Sequence, residues 1–311
     1  MEEKISAWRE WIPSLADATQ ITPIRDGFSF DRKYLVIHRD GRKLLLRTAE
    51  LRHYDGKRAE YEVMQAIRKY DAKSPIPLEM GKIMPLGLCY YILSYIEGED
   101  ARRVLPQLTP SEQYQIGWEA GQTLARLHRH PAPATTGPWY ERIVNKTKGY
   151  VDAYRTCGIK IRHDEKIITF LEDNKHYLQD RPNQFQHDDY HVGNLIVSGR
   201  AFAGVIDFNR FDWGDPLHDF CKLALFSREC SVPFSAGQIA GYFGRERIPE
   251  LFWKLYAMYA AISVFSSIVW SVRVTPDKVE EMRHRLLALC EDHDDFDSCI
   301  PAWYRNWGMS E

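Results

Sequence analysis

Short apolar runs separated by turn signals occupy the first third of the chain. Two of them, within Lys33–Thr48, flank the Asp40-Gly41 pair, and this arrangement is typical of a β-hairpin. Gly56–Tyr70 repeats its apolar positions at helical spacing and predicts an amphipathic helix. Gly81–Gly98 predicts two further strands, the second at Cys89–Ile96. This part of the chain is therefore predicted to be a small sheet with one helix.

Beyond Gly98 the apolar period changes from that of strands to that of helices. Thr109–His128 begins with a capping box, in which Thr109 is the N-cap, Pro110 lies in the first turn and Glu112 is the third helical residue. Further helices are predicted at Lys166–Leu178, Pro249–Val274 and Asp277–Cys290, and two short strands at Asn194–Val197 and Phe202–Phe208. The pattern predicts an α+β protein with a small sheet lobe, a connector and a larger helical lobe that holds one polar hairpin.

One apolar segment, Leu251–Trp270, is about long enough to span a bilayer. It is interrupted by Lys254 and by three serines, and charged sequence lies on both sides of it. We therefore expect a buried core helix rather than a membrane helix.

Composition narrows the classes of function. The chain has 311 residues, of which 44% are hydrophobic and 27% charged, with a net charge of −2. This balance is typical of a globular protein and gives no general attraction to nucleic acid or to an anionic membrane. The six cysteines form no CxxC pair, which disfavours a zinc ribbon or a disulfide scaffold. The charged N-terminus lacks the apolar core of a signal peptide, so we expect a cytoplasmic protein.

The polar hairpin carries the candidate chemistry. Asn194 precedes its first strand and Asp207 ends its second, so the two side chains can face one cation. Oxygen ligands suit Mg²⁺, which keeps phosphate oxygens as further ligands. Asp189 lies five residues before Asn194, where a carboxylate can orient a hydroxyl and accept its proton during phosphoryl transfer.

The wider pattern H-x-D-x-H-x-G-N-L, V-I-D-F and G-D-P-x-x-D resembles the aminoglycoside phosphotransferase and choline kinase-like family. The residues in register are His187, Asp189, His191, Gly193, Asn194, Asp207, Gly214, Asp215, Pro216 and Asp219. One departure is Asp188, which stands where the family usually has glycine.

The resemblance implies an α+β, bilobal protein-kinase-like fold. Its small antiparallel-sheet lobe with one main helix would span residues 1–97, and its larger, mostly helical catalytic lobe 98–311. It makes Asp189 the catalytic base and assigns Asn194 and Asp207 to Mg²⁺. It also assigns structural support to three residues, which are His187, Asp215 and Asp219.

The small lobe would then bind the nucleotide, ATP or GTP. Gly27 and Ser29 lie where the family has its phosphate-binding loop, and Arg47 occupies the position of the usual phosphate-binding lysine. Its partner would be Glu60, with Glu62 as the alternative. The adenine edge would contact backbone groups of three connector residues, Ser94, Tyr95 and Ile96.

The expected acceptor is a small, cationic, hydroxyl-bearing molecule, of which an aminoglycoside-like antibiotic is the leading candidate. Choline, homoserine and methylthioribose are alternative acceptors, and a catalytically silent nucleotide-binding module is an alternative class. A zinc hydrolase using His187 and His191 is disfavoured because Gly193 and the following β-run argue against a helix there. Asp188 and Asp212 are the candidate acceptor-binding carboxylates. Two acidic clusters, Glu97–Asp100 and Glu291–Cys299, are further candidates, although the second is more typical of a solvated loop.

Overall fold

The computed structural model describes residues 7–24, 31–244 and 246–308. Its strands are β1 (Ala18–Ile24), β2 (Arg32–His38), β3 (Lys43–Glu50), β4 (Pro77–Ile83), β5 (Leu88–Ser94), β6 (Glu99–Asp100), β7 (Gln184–Gln186), β8 (Leu195–Ser198), β9 (Ala201–Val205) and β10 (Asp212–Gly214). Its α-helices are α1 (Tyr54–Ile67), α2 (Ala101–Val104), α3 (Pro110–Leu127), α4 (Trp139–Thr156), α5 (Asp164–Asn174), α6 (Phe220–Lys222), α7 (Arg228–Cys230), α8 (Val232–Phe243), α9 (Glu250–Val274), α10 (Val279–Asp292) and α11 (Ala302–Trp307). Short 3₁₀ turns join many of these elements, and a π-helical turn at Leu223–Ser227 joins α6 to α7.

The N-terminal region is an antiparallel sheet of five strands in the order β1-β2-β3-β5-β4. Side chains alternate between its two faces, as the pleat requires. One face packs Val36, Leu46 and Ile92 against Trp8 and Ile12 of the N-terminal segment. The opposite face carries Arg47 and Tyr91 toward α1, and so delivers a charged group to the interior side of the sheet.

Helix α1 and the helices after residue 100 share one continuous apolar core with this inner face. Val63, Met64 and Ile67 of α1 join that core, which explains the helical spacing of the apolar residues in this segment. The capping box of α3 is present as predicted, with the Thr109 hydroxyl and the Glu112 carboxylate each accepting from the other residue's backbone N–H.

Helices α3 and α8 cross at unusually short range because glycines line their contact. A Cβ on Gly121 would lie 2.1 Å from the carbonyl oxygen of Gln238, and one on Gly241 would lie 2.0 Å from that of Trp118. Such distances are impossible for a real side chain, so this packing depends on glycine.

Helix α9 corresponds to the apolar segment that is long enough to span a membrane. It is the helix of the described residues that meets the length and composition of a membrane span, and 78% of its most apolar window is buried inside the protein. Ala257, Ala260 and Phe265 on its successive turns are fully buried. The expectation of a core helix is confirmed.

The polar hairpin is formed by β8 and β9, which pair in antiparallel register with Leu195 opposite Val205. The second strand is shorter than predicted, because it ends at Val205 rather than Phe208. Asp207 adopts a left-handed conformation with φ 69° and starts a 3₁₀ turn, which cannot continue a strand. The bend turns Asp207 toward Arg47 and Lys33 of the N-terminal sheet.

Candidate active site

The buried carboxylate of Asp219 holds the backbone of the loop between β7 and β8. Asp219 accepts hydrogen bonds from the backbone N–H groups of His187 (2.8 Å) and Asp188 (2.6 Å), and its Oδ2 lies 3.0 Å from His128 Nε2. His187 in turn donates from Nε2 to the carbonyl of Ile206 at 3.1 Å. Burial lowers the pKa of His187, so its ring is neutral and suited to this link. The loop is thus tied to the strand that leads to Asp207.

Asp189 lies at the exposed side of this loop, with both carboxylate oxygens contacted. Its Oδ1 lies 3.5 Å from His191 Nε2 and 3.5 Å from Lys222 Nζ. Its Oδ2 accepts from Asn194 Nδ2 at 3.1 Å and lies 3.9 Å from Arg210 Nε. Burial alone would raise the pKa of Asp189, but the His191 hydrogen bond and the two cations outweigh it and hold the pKa well below its usual range. The carboxylate is therefore ionised at neutral pH.

Asn194 and Asp207 meet at the open end of the hairpin, where the Ile206 N–H donates to the Asn194 carbonyl at 2.9 Å. The Asn194 amide donates to Asp189, so its Oδ1 is the atom left for a cation. Asp207 contacts Arg47 at 3.0 Å and Lys33 at 3.5 Å. One amide oxygen and one carboxylate fit Mg²⁺ shared with phosphate oxygens. In the described part of the chain, no group of three His, Cys, Asp or Glu side chains is placed to hold a metal, which does not favour a zinc site.

Arg47 is the centre of a buried charge cluster on the inner face of the sheet. Its guanidinium contacts Asp31 at 2.9 Å, Asp207 at 3.0 Å and Glu60 at 3.6 Å. Burial alone would lower the pKa of Arg47, but Tyr91 and these carboxylates raise it, so the group stays charged. Arginine can bridge three acids from its two terminal nitrogens, which a lysine ammonium could do only from a single point.

Glu60 rather than Glu62 is the helix partner of Arg47. Glu60 is buried and also accepts from the Tyr91 hydroxyl at 2.9 Å and from Lys57 at 3.1 Å. Glu62 is exposed and pairs with Arg58 on the surface of α1. The structure therefore selects the first of the two predicted candidates.

The connector after β5 has fewer free backbone groups than predicted. The Ser94 N–H donates to the Ile76 carbonyl at 2.8 Å, and the Tyr95 N–H donates to the Lys43 carbonyl at 3.3 Å. An adenine edge would therefore use the carbonyls of this segment and the backbone of Ile96. Two predicted phosphate-loop residues, Gly27 and Ser29, lie outside the described residues.

Asp188 adopts a left-handed backbone with φ 58°. That conformation explains the glycine that the family usually has here, and aspartate is among the residues that tolerate it best. Its carboxylate lies 3.2 Å from His218 Nδ1. Burial alone would raise the pKa of Asp188, but His218, Lys222 and Lys146 hold it below its usual value.

The other acidic candidates are also paired with cations of the chain. Asp212 lies 3.1 Å from Arg142 Nη2 and 3.9 Å from Lys146 Nζ, both on α4. In the acidic segment Glu291–Cys299, ion pairs join acids to Arg162, Lys166, Arg228 and Arg305. In Glu97–Asp100, Glu97 pairs with Lys43 and Asp100 with Arg102.

The Asp215 carboxylate is enclosed by hydrogen-bond donors of the chain. It is fully buried, accepts two hydrogen bonds from Arg181 at 2.7 and 3.1 Å, and accepts from the Tyr259 hydroxyl at 2.7 Å. It also caps the following 3₁₀ turn through the Leu217 N–H. Asp219 differs, because its side chain makes no cap on the helix that follows it and holds the loop instead.

Sequence reasoning missed five charged residues of this site, namely Asp31, Lys33, Lys57, Arg210 and Lys222. The sequence prediction includes Lys33 only as the first residue of a strand. A lysine beside Arg47 on the same face of the sheet could have indicated a second cation near Asp207. Lys222 follows Asp219 by three residues, and only the fold brings it to Asp189.

The model of the phosphotransferase enzyme family matches residues 20–251, which include the sheet, the loop and the hairpin described above. The chain belongs to this family. It is 25% identical over 263 residues to an aminoglycoside 3'-phosphotransferase of Niallia circulans, covering 83% of this chain and 93% of that protein.

Solved structures of similar fold belong to the same class of enzyme. Wild-type aminoglycoside 2'-phosphotransferase-IIIa, in its GDP complex, superposes with a TM-score of 0.66 at 12% identity, covering 91% of this chain and 96% of that one. A thermostable mutant of aminoglycoside phosphotransferase APH(4)-Ia, in a ternary complex with ADP and hygromycin B, gives 0.63 at 17% identity, with 91% and 97% covered. The fold is thus the α+β, protein-kinase-like fold of these phosphotransferases.

Proposed function

We propose that this chain is a cytoplasmic, Mg²⁺-dependent kinase that transfers the γ-phosphoryl group of ATP or GTP to a hydroxyl of an aminoglycoside-like antibiotic. The observation that carries the proposal is the meeting of Asp189, Asn194 and Asp207 at one end of the hairpin, opposite Arg47. The 3'-phosphotransferase relative and the hygromycin-bound neighbour support the acceptor class.

The nucleotide would bind between a sheet lobe, residues 1–97, and a helical lobe, residues 98–311. Arg47 and Lys33 would contact its phosphates, since both already approach the Asp207 carboxylate. Glu60 would hold Arg47 in place. Asn194 and Asp207 would hold Mg²⁺, which when bound neutralises the charge that develops on the phosphate oxygens.

Asp189 would orient the acceptor hydroxyl and receive its proton. The acceptor oxygen forms its bond to the γ-phosphorus while the bond from phosphorus to the β,γ-bridging oxygen breaks, and ADP or GDP leaves. An ionised carboxylate with a low pKa is adequate here, because the transition state is loose and catalysis depends mainly on positioning and electrostatics. His187, Asp215 and Asp219 would support this geometry without contacting the substrate.

A second candidate acceptor follows from the charges beside Asp189. Four cations pair with Asp189 or Asp212, namely Arg142, Lys146, Arg210 and Lys222. A polycationic acceptor would have to displace some of them, whereas an acceptor with its own carboxylate, of the homoserine type, would be attracted. Asp188 and Asp212 remain the proposed contacts for an ammonium group.

The test is ADP or GDP release over a panel of aminoglycosides, choline, methylthioribose and homoserine, with Mg-ATP and with Mg-GTP. We expect turnover stimulated by an aminoglycoside, and loss of roughly 10²-fold or more in kcat on Asp189→Ala. The control is Asp297→Ala, which removes an exposed carboxylate far along the chain and should keep full activity.

Each result decides between the candidates. Stimulation by homoserine alone favours the acceptor that carries its own carboxylate. Nucleotide binding with no stimulating acceptor favours the silent module. Full activity of Asp189→Ala would refute the proposed mechanism.

A further inference from the structure

Lys222 is a charged residue of the short helix α6 that contacts Asp189 in the loop between β7 and β8. It ends α6, three residues after the buried Asp219, and immediately precedes the π-helical turn at Leu223–Ser227. Phe220 and Cys221, its two predecessors on α6, are both buried in the core. Single π turns are rare and are frequently found at functional sites.

Lys222 and Asn194 contact different oxygens of the Asp189 carboxylate. Lys222 Nζ lies 3.5 Å from Oδ1, while Asn194 Nδ2 contacts Oδ2 at 3.1 Å. The two groups approach from different elements, so together they fix rotation of the carboxylate about its last bond. Asn194 by itself contacts only Oδ2 of the carboxylate.

Two other groups near the carboxylate are less suited to this role. Arg210 lies 3.9 Å from Oδ2, but its side chain is 46% exposed and stacks over Trp270 at 5.7 Å. His191 lies 3.5 Å from Oδ1 and uses its Nδ1 to accept from the Gly193 N–H, which sets its ring by the loop itself. Of the two cations that reach Asp189 from outside the loop, Lys222 is the more enclosed, with its side chain 19% exposed.

We propose that Lys222 is a positioning residue for phosphoryl transfer, which holds the Asp189 carboxylate in the orientation that accepts a hydrogen bond from the acceptor hydroxyl. The inference rests on the proposed kinase function. A displaced carboxylate would leave the hydroxyl misaligned with the γ-phosphorus, and misplacement by about 1 Å can lower a rate by roughly 10²-fold. Nucleotide binding would be untouched, because Lys222 acts on the acceptor side of Asp189.

The test is a double-mutant cycle that combines Lys222→Met with Asp189→Asn. For each variant we would measure kcat, the KM for both substrates and the Kd for Mg-ATP. Lys222→Met should lower kcat by roughly 10- to 100-fold with little change in KM or Kd for the nucleotide. Lys222→Arg should restore most of the kcat, because it keeps the charge near Oδ1. Lys175→Met is the control, since this exposed lysine pairs only with Glu172 among the contacts described.

The decisive measurement is the effect of Lys222→Met in the Asp189→Asn background. If Lys222 acts through Asp189, the double variant should be no slower than Asp189→Asn alone. Losses that multiply would overturn the inference, as would a Lys222→Met variant with wild-type kcat. A fall in nucleotide affinity equal to the fall in rate would also overturn it. Full activity of Asp189→Asn would instead refute the proposed function.

Discussion

Asp219 offers the sharpest test of how the loop between β7 and β8 is held. It is fully buried, and three donors converge on it: the backbone N–H groups of His187 and Asp188 and the ring of His128. Replacing it with asparagine keeps the volume but turns one acceptor oxygen into an NH2 group. That group would face a buried donor, which then lacks a partner.

The size of the effect follows from these contacts. A hydrogen bond to a charged group is worth about 1.5–3 kcal/mol, and a buried donor left without an acceptor costs about 1–3 kcal/mol. Asp219→Asn should therefore lower the free energy of unfolding by about 2–4 kcal/mol. At about 2–4 °C per kcal/mol, this lowers the Tm by roughly 10 °C. The loosened loop should also lower kcat by roughly 10-fold or more.

Thermal unfolding and nucleotide release measure the two effects in the same preparation. The matched control is Asp297→Asn, because Asp297 is an exposed carboxylate that pairs with Lys166 at 2.7 Å. An exposed pair contributes about 0–1 kcal/mol, so this variant should unfold within about 4 °C of the wild type. If Asp219→Asn behaves like the control in both measurements, the loop is not held as described.

Two further predictions concern stability. Gly241→Ala should lower the Tm, because its Cβ would lie 2.0 Å from the Trp118 carbonyl oxygen and overpacking costs about 1–3 kcal/mol. Gly149→Ala is the control, since this glycine lies in a helix with open space around it, and it should raise the free energy of unfolding by about 0.5–1 kcal/mol. Equal Tm values for the two variants would contradict the described packing. Burial lowers the pKa of His293 to about 4 from the usual 6.5, so its contribution is fully present above pH 6.5 and is lost as the pH falls toward 4, by roughly 3 kcal/mol in all. His293→Gln should flatten this part of the curve of Tm against pH, and an unchanged curve would count against the assignment.

Much of the architecture follows from local patterns. The hairpin around Asp40-Gly41 and the capping box at Thr109 depend on residues close together in the chain, and both form as predicted. The kinase-like motif also lies within 33 residues, so the neighbours Asp189, Asn194 and Asp207 could be assigned roles before any tertiary structure was known. In each case the information is carried by short-range spacing.

The backbone conformation explains why Asp188 departs from the family pattern, which the sequence could show but not explain. Asp188 replaces a glycine, and the left-handed φ of 58° supplies the reason. The same applies to Asp207, whose φ of 69° ends the strand three residues earlier than the apolar run Phe202–Phe208 suggested. An apolar run predicts burial, but it does not predict where the backbone must bend to aim a carboxylate.

The sequence by itself determined the family and the change from a sheet to helices along the chain, and it placed Asp189, Asn194 and Asp207 in one motif, because these depend on periodicity and close spacing. Only the tertiary structure decided the electrostatics of that site. Lys222 reaches Asp189 across 33 residues of chain, and Arg47 reaches Asp207 across 160. Among the acids predicted to attract a cationic acceptor, Asp212 is paired with Arg142 and Glu97 with Lys43, each from another element. Charges act through space, so their partners are set by packing and not by order along the chain.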